Sequence, residues 1–551
     1  MAETSSTDAP ETLTGTEGAD QTVTQAAVVE DTTEAERRLK TVETVVAADA
    51  RQWDTSEHDY RGFAQQALFY ATSQGGLGGD GGRGGDGEKS VNAANYGNGS
   101  HGGNGGDGGD AAAFLLETSI LTLDGRDKIS LFATSAGGDG GSGGNGGNGG
   151  FAWKSIDSGN GGDGGNGGNG GAAWSLVDDV LVTAGGGNDR ISIFSTAMGG
   201  AAGDGGFGGH NGNVKGSINS GNGGDGGDGG SGGDATSRLS DTTVYAGTGH
   251  DQISLAVTAY GASSGKGGSY GKGGSSKYGS HSGAAGSGGD GGDARAEMVN
   301  VKVFAEQGDD SIRISLSASV GSQGKGAANL KAFASITLVN STFDGGEGND
   351  SFALVSKTNK GSAVFNVSGN IFDGGVGIDK IDFKSWSKAI SIEFGTERLD
   401  LGSGFTNTIR NFETVVGTSS ADRFAFSQYA AGLKVTGGSG GDSFLLSVQA
   451  SDAGWGTITD FSGKKKGGDK FVIDDAAFSN LAVGSPIKIV EASDITQASS
   501  SGNKGYFIYD KSGADAGGLF YDPTGGNGSD AYDVVMLAGK PHLSASDFYI
   551  V

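Results

Sequence analysis

Ser119 to Ala133 reads Ser-Ile-Leu-Thr-Leu-Asp-Gly-Arg-Asp-Lys-Ile-Ser-Leu-Phe-Ala. Two short alternating apolar runs flank a Gly/Asp turn, the pattern of two half-buried strands joined by a tight connection. The pattern returns at Val180 to Phe194, around Val244 to Leu255, and at Val301 to Leu316, Ile336 to Val355 and Phe365 to Phe383. The aspartate that closes each turn marks the register: Asp127, Asp189, Asp251, Asp310, Asp350, Asp379 and then Asp442. These lie 62, 62, 59, 40, 29 and 63 residues apart, with a weaker copy at Asp422. A unit this short cannot bury its apolar face alone, so its regular return predicts stacking of successive units into a parallel β-solenoid.

Composition agrees with a thin, elongated, all-β chain. Of 551 residues, 113 are glycine, four are proline and none is cysteine. The apolar fraction is too small for several thick cores and too well patterned for a disordered chain. The net charge of −27, from 38 basic and 65 acidic residues, argues against nucleic acid as a partner and for a bound cation or a solvated surface. No stretch of 18 apolar residues offers a membrane helix, and Met1 to Thr33 lacks a basic segment followed by an apolar core. Without cysteine there is neither a disulfide framework nor a thiolate metal site.

Four segments follow from these shifts. Residues 1–40 read as a flexible acidic leader. Residues 41–335 read as solenoid coils with glycine-rich insertions, 336–450 as shorter coils, and 451–551 as a C-terminal cap. Within 41–72, Ala67 to Gly75 echoes Ser130 to Gly137, which suggests a divergent first coil.

The insertions have period three. Gly137 to Gly150 runs Gly-Gly-Asp-Gly-Gly-Ser-Gly-Gly-Asn-Gly-Gly-Asn-Gly-Gly, and Gly159 to Gly171 continues the pattern after a tip at Phe151 to Ser158. Collagen shares the period but needs proline, which these runs lack. The paired lengths predict arms that lead out and back as polyglycine II-like helices; a run of about 13 residues spans roughly 40 Å at about 3.1 Å per residue. The competing expectation is a set of independent linkers. Aromatics near the arms, Tyr96, Trp153, Tyr260, Tyr270 and Tyr278, serve either as packing between arms or as a surface for glycan.

Phe343 to Phe352 reads Phe-Asp-Gly-Gly-Glu-Gly-Asn-Asp-Ser-Phe, Phe372 to Ile381 reads Phe-Asp-Gly-Gly-Val-Gly-Ile-Asp-Lys-Ile, and Val435 to Phe444 reads Val-Thr-Gly-Gly-Ser-Gly-Gly-Asp-Ser-Phe. These resemble the Gly-Gly-X-Gly-X-Asp-X-apolar-X nonapeptide of the repeats-in-toxin (RTX) family. Asn411 to Phe424, Trp455 to Asp475 and Gly518 to Val551 are similar to that family's later segments, so the resemblance covers about residues 340–551. It implies a calcium-binding β-roll, with hard oxygen ligands supplied by aspartate and turn carbonyls. The positions it marks first are Asp344, Gly346, Gly348 and Asp350; Asp373, Gly375, Gly377 and Asp379; and Gly438, Gly440 and Asp442. Gly185, Gly187 and Asp189, then Asp251, Asp127 and Asp310, extend the set upstream. The bland reading of each is an aspartate that closes its own turn.

The resemblance further implies export through a type I secretion apparatus that reads an uncleaved C-terminal signal, and folding outside the cell on calcium. The six histidines are isolated, no His-Glu-X-X-His occurs, and no nucleophile elbow stands between a strand and a helix, so no enzymatic activity is expected. Two functions are left: a secreted structural protein that polymerises into a filament, surface layer or matrix, and an adhesin whose arms bind a glycan, cell or ice surface.

Overall fold

A computed structural model describes residues 22–30, 45–46, 66–89, 97–122, 124–151, 158–212, 220–274, 280–326, 332–359, 363–427, 432–447, 456–463, 468–484, 486–493, 505–513, 515–525 and 530–551. The expected tips at Tyr96, Trp153 and Tyr278, and most of the expected leader, lie outside these residues.

The architecture is mostly parallel and repetitive, a β-solenoid or roll-like arrangement of two long sheets. In one sheet Gln66–Gln74, Lys128–Ala136, Arg190–Met198, Gln252–Tyr260, Ser311–Ser319 and Ser351–Thr358 lie side by side, all parallel. Register is strict: Ile129 sits beside Ile191, Ile191 beside Ile253, and Ile253 beside Ile312. The second sheet stacks Ala111–Leu121, Ala173–Thr183, Ala235–Ser240, Ala294–Val299 and Ala334–Val339 in the same way. Each coil contributes one strand segment to each sheet, and the core lies between the sheets.

Alternation explains which face is buried. Ile129, Leu131 and Ala133 are buried, whereas Phe132 and Thr134 on the opposite face are partly exposed. Ile191, Ile193, Leu255 and Ile314 repeat the inward set and are fully buried. Each such side chain contributes about 1.5–3 kcal/mol. The second sheet bends at one place per coil, where Glu117, Asp179, Asp241, Asn300 and Asn340 all take positive φ of 46–55°. Asn and Asp tolerate that conformation better than other side chains.

The glycine-rich runs form a hydrogen-bonded backbone array and do not behave as independent linkers. The Gly78 N–H donates to Asp139 O (2.7 Å), Gly143 N–H to Asp204 O (2.8 Å) and Gly205 N–H to Lys266 O (2.8 Å), each one coil onward. A second set joins outgoing to returning runs: Gly106 N–H to Gly79 O (2.7 Å) and Gly141 N–H to Gly106 O (2.8 Å). The approach is so close that a Cβ on Gly206 would overlap the carbonyl of Gly144. Only a residue without a side chain fits there.

Two elements differ from expectation. Within the leader, Thr22–Glu30 is a strand paired in parallel with Gln66–Gln74. Further on, the parallel stacking is interrupted by Ser391–Glu393, Arg398–Asp400 and Asn407–Arg410, which pair antiparallel. The chain ends in an antiparallel meander, Tyr506–Asp510, Gly518–Asp522 and Tyr532–Leu537, joined to the first sheet through Thr457–Ile458. Phe548–Ile550 adds to the second sheet beside Lys470–Ile473.

Candidate metal centre: two files of aspartates

The turns between the two sheets stack one above another. Isolated parallel bridges link Gly186 to Thr248, Thr248 to Gln307, Gln307 to Glu347 and Glu347 to Val376. Gly187, Gly249, Gly308, Gly348 and Gly377 hold φ between 137° and 155°. At Gly348 and Gly377 a side chain would also meet the carbonyl of the glycine one coil earlier, Gly308 and Gly348 respectively. Gly185 O accepts from Thr248 N–H (3.2 Å), and Gly346 and Gly375 take positive φ at the start of their turns.

This stacking lines the turn-closing aspartates up in a file. The backbone N–H of each donates to Oδ1 of the next: Asp127 to Asp189, Asp189 to Asp251, Asp251 to Asp310, Asp310 to Asp350 and Asp350 to Asp379, all at 2.7 Å. Residues 29 to 62 positions apart thus become neighbours at the strand spacing of about 4.8 Å. All six side chains are buried. Asp379 N–H then donates to Glu413 Oε2 (2.7 Å), so a glutamate continues the file.

The second carboxylate oxygen decides what the file can do. Oδ2 of Asp189, Asp251, Asp310, Asp350 and Asp379 is buried without a hydrogen-bond partner. A buried ionised group in that state is costly unless a proton or a cation joins it. Burial accordingly pushes Asp189, Asp310 and Asp350 up to about 7, and Asp251 and Asp379 up to about 6. Backbone N–H donors oppose that rise. Neighbouring carboxylates add to it: Asp251 and Asp127 act on Asp189, and Asp379 acts on Asp350. No three His, Cys, Asp or Glu side chains converge as a metal site among the described residues. Each turn of the file therefore brings one closing carboxylate together with its carbonyls, and the turns of Asp350 and Asp379 bring a second at Asp344 and Asp373.

Asp442 belongs elsewhere. It precedes Ser443–Leu446, a strand of the second sheet, and forms a separate file on the opposite edge. There Asp422 N–H donates to Asp442 Oδ1 (2.8 Å) and Asp442 N–H to Asp469 Oδ1 (2.9 Å). In this file the outer members are saturated. Asp422 accepts from Ile390 N–H and from the N–H and hydroxyl of Thr418; Asp469 accepts from Ser462. Gly438 N–H donates to Asp460, and Gly440 holds a φ of 135°.

The aspartates that open the turns differ from those that close them. Asp344 Oδ1 accepts from Gly346 N–H (3.1 Å), and burial raises its carboxyl. Asp373 is held by Arg410 Nε (2.6 Å) and Asn411 Nδ2 (2.7 Å). A guanidinium therefore already supplies positive charge beside Asp373. Sequence reading passed over both Arg410 and Glu413. Their place just before the Thr414–Val416 strand, where earlier copies carry Gly-Gly-X-Gly-X-Asp, is the only signal that could have marked them.

No family model matches the chain, and no curated protein does. What it belongs to is therefore stated by its architecture alone: a mostly parallel, repeat-built all-β fold of β-solenoid type.

Proposed function

We propose that this chain is a secreted, calcium-folded structural protein of the RTX kind that assembles outside the cell or on its surface. The observation that carries the reading is the file of five buried carboxylate oxygens without partners. Their donor chemistry fits a hard cation: Asp189, Asp251, Asp310, Asp350 and Asp379 would hold it together with turn carbonyls. Calcium would neutralise carboxylates that otherwise repel, and so couple folding to its own binding. The saturated Asp422 and Asp469, and Asp373 beside Arg410, fit a cation less well than the upstream file does.

The glycine-rich runs support polyglycine II-like arms, because their glycines alternate bonds along the stack with bonds across it. Arms packed in this way would present broad flat faces suited to a layer or matrix. Export by a type I apparatus and polymerisation through open sheet edges complete the proposal. Among the described residues, Ile489–Ala492 pairs with another strand on one side only.

The full chain, stripped with chelator and titrated with calcium in a calorimeter, should bind several ions, with a matching rise in β-sheet circular dichroism. Electron micrographs should then show polymers that disperse in chelator. In Asp310→Asn/Asp350→Asn each Oδ1 acceptor survives while the second oxygen and the charge are lost, and that variant should bind fewer ions. No heat and no spectral change at millimolar calcium would sink the reading.

A further inference from the structure

The returning glycine-rich runs carry a second, unrelated surface. Between the glycines, every third residue points outward, and its side chain is tied to the coil above. Asn160 N–H donates to Asn98 Oδ1 (2.9 Å), Asn222 N–H to Asn160 Oδ1 (2.8 Å) and His281 N–H to Asn222 Oδ1 (3.1 Å). Three residues along the run a parallel column forms. Asp163 N–H donates to His101 Nδ1 (3.0 Å) and Asp225 N–H to Asp163 Oδ1 (2.7 Å). Between the two columns lies a groove of about 390 Å³, closed at its floor by glycine backbone.

These bonds fix the orientation of each side chain through one polar atom, and Asp163 Oδ2 also lies 3.2 Å from His101 Nδ1. Asn98, Asn160 and Asn222 are exposed, and none of these bonds uses an Nδ2 donor. Asp225 keeps an outward acceptor. Asparagine amides thus stand in one column, and the Asp163 and Asp225 carboxylates with the His101 imidazole in the other. Spacing is about 4.8 Å along the stack and about 9 Å across it, three residues at about 3.1 Å each. The side chains are ordered before any ligand arrives, which lowers the entropic cost of binding. Apart from the end histidines the groove holds no cation, so it does not suit an anionic chain.

From this we infer that the groove binds an extended, neutral, β-linked glycan lying along the stack. Such a chain advances per sugar by nearly the distance between coils. Each residue would accept from one asparagine amide through one hydroxyl and donate to a facing carboxylate, Asp163 or Asp225, through another. The inference rests on the arm packing proposed above and is independent of what fills the aspartate file.

The probes are cellohexaose and chitohexaose, titrated into the full chain in calcium. Hydrogen exchange is read in parallel on Gly161, Gly164 and Gly167. At least one probe should bind, with arm amides protected. Asn160→Asp/Asn222→Asp keeps both Oδ1 acceptors and replaces the donors, and should weaken binding at least tenfold. Asn145→Asp/Asn148→Asp, on the outgoing runs, should leave binding unchanged. Protected amides with no binding of either sugar would overturn the site alone; unprotected amides would overturn the arm packing with it. Equal affinity in the Asn160/Asn222 variant would also overturn the site.

Discussion

At the scale of single residues, glycine in this chain has two separate jobs, and substitution tells them apart. Gly206 lies where a Cβ would strike the Gly144 carbonyl, so Gly206→Ala must push two backbones apart. Gly79 has open space where a Cβ would stand and no positive φ. There alanine should stabilise by about 0.4–1 kcal/mol through the unfolded chain. Urea unfolding of the two variants should shift in opposite directions; equal shifts would show that the close approach is absent. The period-three pattern made this packing legible, because two glycines and one polar residue per turn leave only backbone between neighbours. The pattern did not show which glycines lie at the rim of the array. That depends on Gly79 belonging to the first run, with no earlier glycine-rich run against it among the described residues.

At the scale of elements, the turn recurrence was readable and its side was not. Gly-Gly-X-Gly-X-Asp before an apolar run foretold the bends around Asp350, Asp379 and Asp442 equally well. Yet Asp350 and Asp379 close turns that lead from the second sheet into the first, whereas Asp442 closes one that leads from the first sheet into the second, on the opposite edge. Ser391–Glu393 and Arg398–Asp400 are only three residues each, too short to stand out by periodicity. Upstream, Asp189 keeps the turn glycines Gly185 and Gly187 whereas Asp251 follows Gly247-Thr-Gly-His, and stacking across 62 residues brings both into one file.

The file also sets a pH dependence. Burial pushes Asp189, Asp251, Asp310, Asp350 and Asp379 up to about 6 to 7 in the folded chain, above the ordinary carboxylate value of the unfolded one. The folded chain therefore holds more protons between about pH 4 and 7, and calcium-free stability falls as pH rises through that window. In chelator the melting temperature should be higher at pH 5 than at pH 8. Calcium should restore it at pH 8 and matter little at pH 5. Identical curves at both values would contradict the burial of the file.

At the scale of the whole molecule, both sheets run continuously across residue 335, where the sequence suggested a boundary. Phe343 pairs with Val303 and Phe352 with Ile312, so the long and short coils share one core. The unequal coil lengths then impose an order of events. Bringing successive turns together costs more entropy the longer the intervening chain, by about 0.6 kcal/mol per doubling. Closing 29 residues between Asp350 and Asp379 is thus easier than closing 62 between Asp127 and Asp189. The short rungs are therefore expected to seed the long ones, with growth toward the amino end. Pulse-labelled exchange during refolding should protect Phe372 and Ile381 before Ile191; the reverse order would place the nucleus elsewhere. A chain built in this way would keep its long amino-terminal rungs open until the short ones between 350 and 379 had closed.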